Sequence, residues 1–216
     1  MLMFRDRKEA GIQLAEKLGA YKDREDVVVL ALPRGGVVTG FEIARALKAP
    51  LDVIIVRKIG FPGQEELAIG AIAETGAVVL NRDIIEMGRI RSEVVQTATE
   101  RQKQEISRRI ALYRGGRGLT GVKSKIVLLV DDGVATGATL KAAIVALKLE
   151  KIARLVLAIP VGPKDTISKL ETMADECICL ETPPVFYAVG AFYRDFTQVS
   201  DEEVVNLLKS SAVKAA

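Results

Sequence analysis

Two carboxylates stand side by side at Asp131 and Asp132, between the apolar run IVLLV (126–130) and the small-residue stretch GVATGAT (133–139). Neighbouring like charges cost stability unless something binds them. The stretch that follows offers backbone N–H groups and the Thr136 and Thr139 hydroxyls to an anion, and the dipole of the helix it leads into adds to the attraction. Val134, Ala135, Gly137 and Ala138 complete this cup. A phosphate in the cup, with two acids close by, suits a ribose 5-phosphate whose 2' and 3' hydroxyls donate to the carboxylates. The stretch is not a Walker A loop, because it lacks the Gly-Lys-Ser/Thr ending, and it contains no G-x-G-x-x-G dinucleotide fingerprint.

A second anion-binding candidate is PRGG, Pro33 to Gly36. Gly35 and Gly36 permit close backbone approach to a ligand, and Arg34 adds a permanent positive charge, although a tight strand-to-helix turn uses glycine too. Arg57 and Lys58 follow the run DVIIV (52–56) and are expected at the carboxyl end of the second strand. Histidine is absent, which excludes Ser-His-Asp and Cys-His nucleophiles and every His-ligated metal site. Cys177 and Cys179 lie two apart in the apparent strand ECICLE, so they share a face and are expected to be a buried, reduced pair.

The elements that must position these residues follow from hydrophobic patterning. VVVLAL (27–32), DVIIV (52–56), IVLLV (126–130) and LVLAIPV (155–161) are continuous apolar runs of the kind found in parallel strands buried on both faces. Between them, Ala10, Leu14, Ala15 and Leu18, then Phe41, Ala44 and Leu47, then Leu140, Ile144 and Leu147 recur at helical spacing. The alternation predicts an α/β fold with a mostly parallel sheet flanked by helices. AIGAIAETGAVVLN (68–81) predicts a hairpin around Thr75 and Gly76, and SEVVQTATERQKQEISRRIALYR (92–114) a long, mostly polar helix.

At 216 residues the chain is expected to form a single domain over 1–216, with a core at about 20–165 and a C-terminal elaboration at about 176–205. No apolar run reaches the length of a membrane span, and the charged start MLMFRDRKEAG is unlike a signal peptide, so a cytoplasmic location is expected. The formal charge of +3 is too balanced to announce nucleic-acid binding. Residues 82–117 do carry nine Arg or Lys against five Asp or Glu, which reads either as a solvated helix face with ion pairs or as a basic patch. Phe186, Tyr187, Phe192, Tyr193 and Phe196 cluster within eleven positions, either as a satellite core or as a hood stacking on a flat base.

VLLVDDGVATGATL resembles the phosphoribosyl diphosphate (PRPP) signature of type I phosphoribosyltransferases in its strand, paired acids, small-residue turn and Thr-Gly-x-Thr. PRGG is similar to that family's pyrophosphate loop, where a non-proline cis peptide often follows the second position; the isomer of Arg34–Gly35 is not set by sequence. The resemblance makes IGFPGQEELAIGAIAE a mobile loop that closes over PRPP. Family members carry basic residues in that loop, whereas between Lys58 and Ala73 this one has none and only Glu65 and Glu66 as charges, facing either magnesium or solvent.

The implied reaction displaces pyrophosphate from C1 of PRPP by a ring nitrogen of a base, through an oxocarbenium-like state. Asp131 and Asp132 would favour the sugar's positive charge, while magnesium (Mg2+), Arg34, Gly35, Gly36, Arg57 and Lys58 would serve the departing pyrophosphate. Magnesium would be held mainly by PRPP, with no dedicated protein cage. Phe186, Tyr187, Phe192 and Tyr193 are the hood candidates for the base, whose identity the motifs do not specify. The expected partners are PRPP and a nitrogenous base, without membrane or nucleic acid, and a homodimer is compatible with the exposed hairpin and hood. Rival readings are a PRPP-sensing regulator that binds nucleic acid and a phosphosugar hydrolase in which water replaces the base.

Overall fold

The computed structural model describes residues 4–61, 63–119 and 121–212, apart from the side chains of 64–67 and 212. In chain order the elements are α1 (Arg7–Lys17), β1 (Val27–Ala31), α2 (Gly35–Leu47), β2 (Leu51–Val53), β3 (Val56–Phe61), β4 (Gln64–Ala73) and β5 (Val78–Leu80). They continue with α3 (Arg82–Met87), α4 (Ser92–Arg114), β6 (Ile126–Val130), α5 (Ala138–Leu149), β7 (Arg154–Val161), α6 (Lys164–Glu171), β8 (Glu176–Glu181) and α7 (Asp201–Ala212). Two compact units result, one of Met1–Val53, Gly121–Gly137 and Lys151–Ala216, the other of Ile54–Thr120 and Ala138–Glu150.

The first unit is built on a five-stranded parallel sheet in the order β2-β1-β6-β7-β8. Every residue of β1 and β6 is buried, and in β7 only Arg154 reaches solvent, which is why these strands read as unbroken apolar runs. On one face, Leu14 and Leu18 of α1 and Ile43 and Leu47 of α2 pack with Val29, Leu128, Val130 and Val156. Each such side chain contributes roughly 1.5–3 kcal/mol by leaving water. β1 has β2 on one side and β6 on the other, so the strand order reverses between β1 and β6 and opens a crevice at their carboxyl ends. The register pairs Ala31 with Val130, so both strands stop level with each other.

The second unit holds an antiparallel sheet, β3-β4-β5. The expected hairpin is present: β4 and β5 pair across a turn in which the Ala73 N–H donates to the Ala77 carbonyl at 2.9 Å. The polar helix is α4, which buries only Ile106, Tyr113 and Arg114. Its charges pair along the helix, Lys103 with Glu100 at 2.9 Å and both Arg108 and Arg109 with Glu105 at 2.8 Å.

The run DVIIV is not one strand. β2 ends at Val53, and Ile55 bonds instead with Glu74, its N–H donating to Oε1 at 2.8 Å and its carbonyl accepting from the Glu74 N–H at 2.9 Å. Val56 then begins a strand of the antiparallel sheet. The run looks continuous because Ile54 and Ile55 are fully buried without belonging to either sheet.

Cys177 and Cys179 are free and half-buried on one face of the edge strand β8. Burial is the main influence pushing their thiols up, to about 11 and about 12. Both therefore stay protonated near neutral pH. Among the described residues no cluster of acids and cysteines could hold a metal ion, and no helix is long and apolar enough to cross a membrane.

Candidate functional site

The loops leaving β1 and β6 enter the crevice together. After β1 the chain runs through Leu32, whose N–H donates to the Val130 carbonyl at 2.9 Å, into Pro33–Arg34, which is the cis, non-proline peptide of the loop. The cis bond thus lies one position before Arg34–Gly35. Gly35 opens α2 hard against the acids: a methyl group there would overlap the Asp132 carboxylate and sit 2.8 Å from Arg7 Nε. Gly36 lies against Asp131, a methyl there being 3.0 Å from its Cα. PRGG and the paired acids are therefore in direct contact, and glycine at 35 is what allows it.

The two acids differ. Asp132 Oδ2 accepts from Arg7 Nε at 2.6 Å, its carbonyl accepts from the Tyr193 hydroxyl at 2.6 Å, and its N–H donates to Asp131 Oδ1 at 2.9 Å. Asp131 is pushed well above the usual carboxylate range, first by burial and then by the negative charge of Asp132. Burial, followed by that same charge, also raises the Tyr193 phenol, which stays a donor.

Gly133 continues at φ 151°, and a side chain on it would collide with Val189, so the turn after the acids needs glycine twice over. Val134 departs from its expected role as a cup donor: its N–H is already given to the Val161 carbonyl at 2.9 Å, and its side chain is buried. It anchors the loop to the end of β7. Ala135 and Thr136 are exposed, and the Ala135 carbonyl is held by the Thr166 hydroxyl at 2.9 Å. After Gly137, Ala138 and Thr139 begin α5, where first-turn N–H groups have no partner within the helix.

The aromatic cluster resolves largely as a satellite core. Phe192 and Tyr193 are buried with Phe4 and Val161, and Phe186 stacks on Phe192 with centroids 5.3 Å apart. Their faces are taken by protein, so as stacking surfaces for a base Phe192 and Tyr193 are excluded. Tyr187 is the exception, 89% exposed.

Arg57 and Lys58 do not end a parallel strand; they are the second and third residues of β3. Successive strand residues project to opposite faces. Arg57 Nε donates to Gln102 of α4 at 3.1 Å, whereas Lys58 is exposed. Glu65 and Glu66 have side chains outside the described residues.

Sequence reading passed over Arg7. The Asp6-x-x-Glu9 spacing is a helix-start signature, and Asp6 indeed caps α1, accepting from the Glu9 N–H at 2.8 Å. That signal places Arg7 at the start of α1 but carries no information about a partner 125 residues away.

Three likenesses accompany this geometry. Residues 5–197 match the family model described as the phosphoribosyl transferase domain. A Mycobacterium tuberculosis protein that bears the name "Putative phosphoribosyl transferase Rv0571c" is 46% identical over 208 residues, which are 96% of this chain and 47% of that protein. The chain thus spans just under half the length of that relative. The crystal structure of TT1426 from Thermus thermophilus is 41% identical and superposes with a TM-score of 0.80, covering 97% of this chain and 99% of that one. With the family match extending over most of its length, from before the first helix to the segment that holds the acids, the chain belongs to the phosphoribosyl transferase domain family.

Proposed function

We propose that this chain transfers the 5-phosphoribosyl group of PRPP to a nitrogenous base with release of pyrophosphate. The observation that carries the reading is the meeting of PRGG with Asp131 and Asp132 where the strand order reverses, the place in an open parallel sheet where ligands bind. In this reading the acids receive the ribose hydroxyls, the loop Ala135–Gly137 takes the 5-phosphate, and Arg34 with the glycine backbone faces the pyrophosphate.

The chemistry asked of the chain is electrostatic. Negative charge at Asp132, fixed by Arg7, favours positive charge developing at C1; a permanent charge at Arg34 favours negative charge on the leaving group. Histidine being absent, deprotonation of the incoming nitrogen falls to a carboxylate, water or the departing pyrophosphate. The donor set offers two carboxylates, one of them engaged by Arg7, so magnesium would be carried on PRPP oxygens with at most Asp131 from the chain, and when bound would neutralise pyrophosphate charge.

The test is calorimetric titration of PRPP with and without magnesium into the wild-type, Asp131→Asn and Asp132→Asn proteins, followed by screening of bases for pyrophosphate release. Magnesium-dependent binding that is measurably weakened in the variants supports the reading, and no binding by the wild type overturns it. Phosphoribosyl loss without an added base would favour hydrolysis instead.

A further inference from the structure

We propose that Arg7 is the positioning residue of this site: it fixes the Asp132 carboxylate for ribose, and the segment 193–197 in turn fixes Arg7. The inference rests on the proposed PRPP reading and assigns a role to a residue outside the signature.

Three contacts define the guanidinium. Nε donates to Asp132 Oδ2 at 2.6 Å, Nη1 donates to the Thr197 carbonyl at 2.8 Å, and Cζ lies 3.8 Å from the centre of the Phe196 ring. The Arg7 and Asp132 side chains are only 10% and 16% exposed. The backbone under Arg7 is fixed as well. Asp6 caps α1, and Gly11 lets α1 lie so close to α2 that a methyl group there would come within 2.6 Å of the Thr39 carbonyl. On the far side of the acid, the Tyr193 hydroxyl holds the Asp132 carbonyl, so residue 132 is gripped at side chain and backbone by the two ends of one assembly.

Stability alone is a weak reason for such a pair. A buried ion pair is often no better than hydrophobic residues of the same volume, because desolvation offsets the attraction. Orientation is the better reason, since Gly35 of the PRGG loop touches both partners: its missing methyl would meet Asp132 and Arg7 together. The carboxylate that must receive ribose is thus set at the one place where the pyrophosphate loop, α1 and the C-terminal segment converge. Lysine could supply charge to Asp132 but not the rigid fork of donors or the planar stacking face.

A double-mutant cycle on PRPP affinity separates positioning from mere support. With magnesium present, Arg7→Met is expected to weaken PRPP binding roughly tenfold or more in the wild-type background, the size of coupling usual for contacting residues. In the Asp132→Asn background the same substitution is expected to change affinity by less than about twofold, because the carboxylate it orients is gone. Arg7→Lys should recover part of the loss. Equal losses in both backgrounds, or no loss in Arg7→Met, overturn the proposal. If Arg7→Met does not fold, Arg7→Lys is compared across the two backgrounds instead, with the same outcomes decisive. Failure of the wild type to bind PRPP removes the proposed function and this role with it, whereas PRPP binding with equal losses removes only the role of Arg7.

Discussion

Asp131 and Asp132 share a peptide bond but not an environment. Asp132 has a guanidinium, whereas Asp131 is half-buried beside a negative charge, and its carboxyl is pushed well above the usual range. A carboxyl raised in this way favours the folded state most below its unfolded value, and that contribution is lost as pH rises through the raised value. Asp131→Asn, which keeps the acceptor for the Asp132 N–H, is therefore expected to melt roughly 2–4 °C higher than wild type at pH above the raised value, the shift that about 1 kcal/mol makes in a domain of this size. The difference should vanish on acidification into the usual carboxylate range, and melting curves across pH check both ends. For Asp132→Asn the expectation is a roughly hundredfold or greater loss of turnover, as when one preorganised electrostatic partner is removed; a pyrophosphate-release assay with near-normal rates would take the acid out of the mechanism. Both acids were legible because residue types and spacing lie within one short stretch. Arg7 was not, since its meaning resides in a contact across 125 positions that no local pattern encodes.

At the scale of elements, the strands that read cleanly are those buried on both faces, β1, β6 and β7, and the helix that read cleanly is α4, whose sparse apolar positions and paired charges are local. What misled was Ile54–Ile55, buried by passage between elements rather than by a strand, and with it the placing of Arg57 and Lys58. The turn from β1 into α2 makes a sharp demand: Gly35→Ala must displace Asp132 or the helix start, at a cost of about 1–3 kcal/mol for such overpacking, and should abolish PRPP binding even in protein that remains folded. Circular dichroism melts paired with calorimetry distinguish these effects. Within the second unit, Glu74 and Arg114 form a buried pair, only 3% and 5% exposed. Arg114→Met leaves the Glu74 charge without it and is expected to destabilise by about 3–5 kcal/mol, while the double change to Leu and Met should recover much of that in a denaturant titration.

For the molecule as a whole, the basic excess of 82–117 carries less than its count suggests. Much of it is spent in pairs along α4, and Glu105, held down to about 2 first by Arg108 and also by Arg109, keeps its charge across the physiological range. Short duplex DNA or RNA is expected to show no binding at physiological salt; affinity that falls steeply as salt rises would instead support the regulatory reading. Charge counting along a sequence cannot separate a patch from a ladder, because pairing depends on which side chains a helix turn brings together. The segment before α1 is stitched to the segment before α7: the Arg194 and Asp195 N–H groups donate to the carbonyls of Phe4 and Arg5 at 2.8 Å, beside the Tyr193 and Thr197 contacts that hold Asp132 and Arg7. Along the chain, every strand of the parallel sheet is complete at Glu181, whereas Tyr193 and Thr197 lie beyond it. A chain cut short at that point would hold every strand of the parallel sheet but not the residues that grip Asp132 and Arg7.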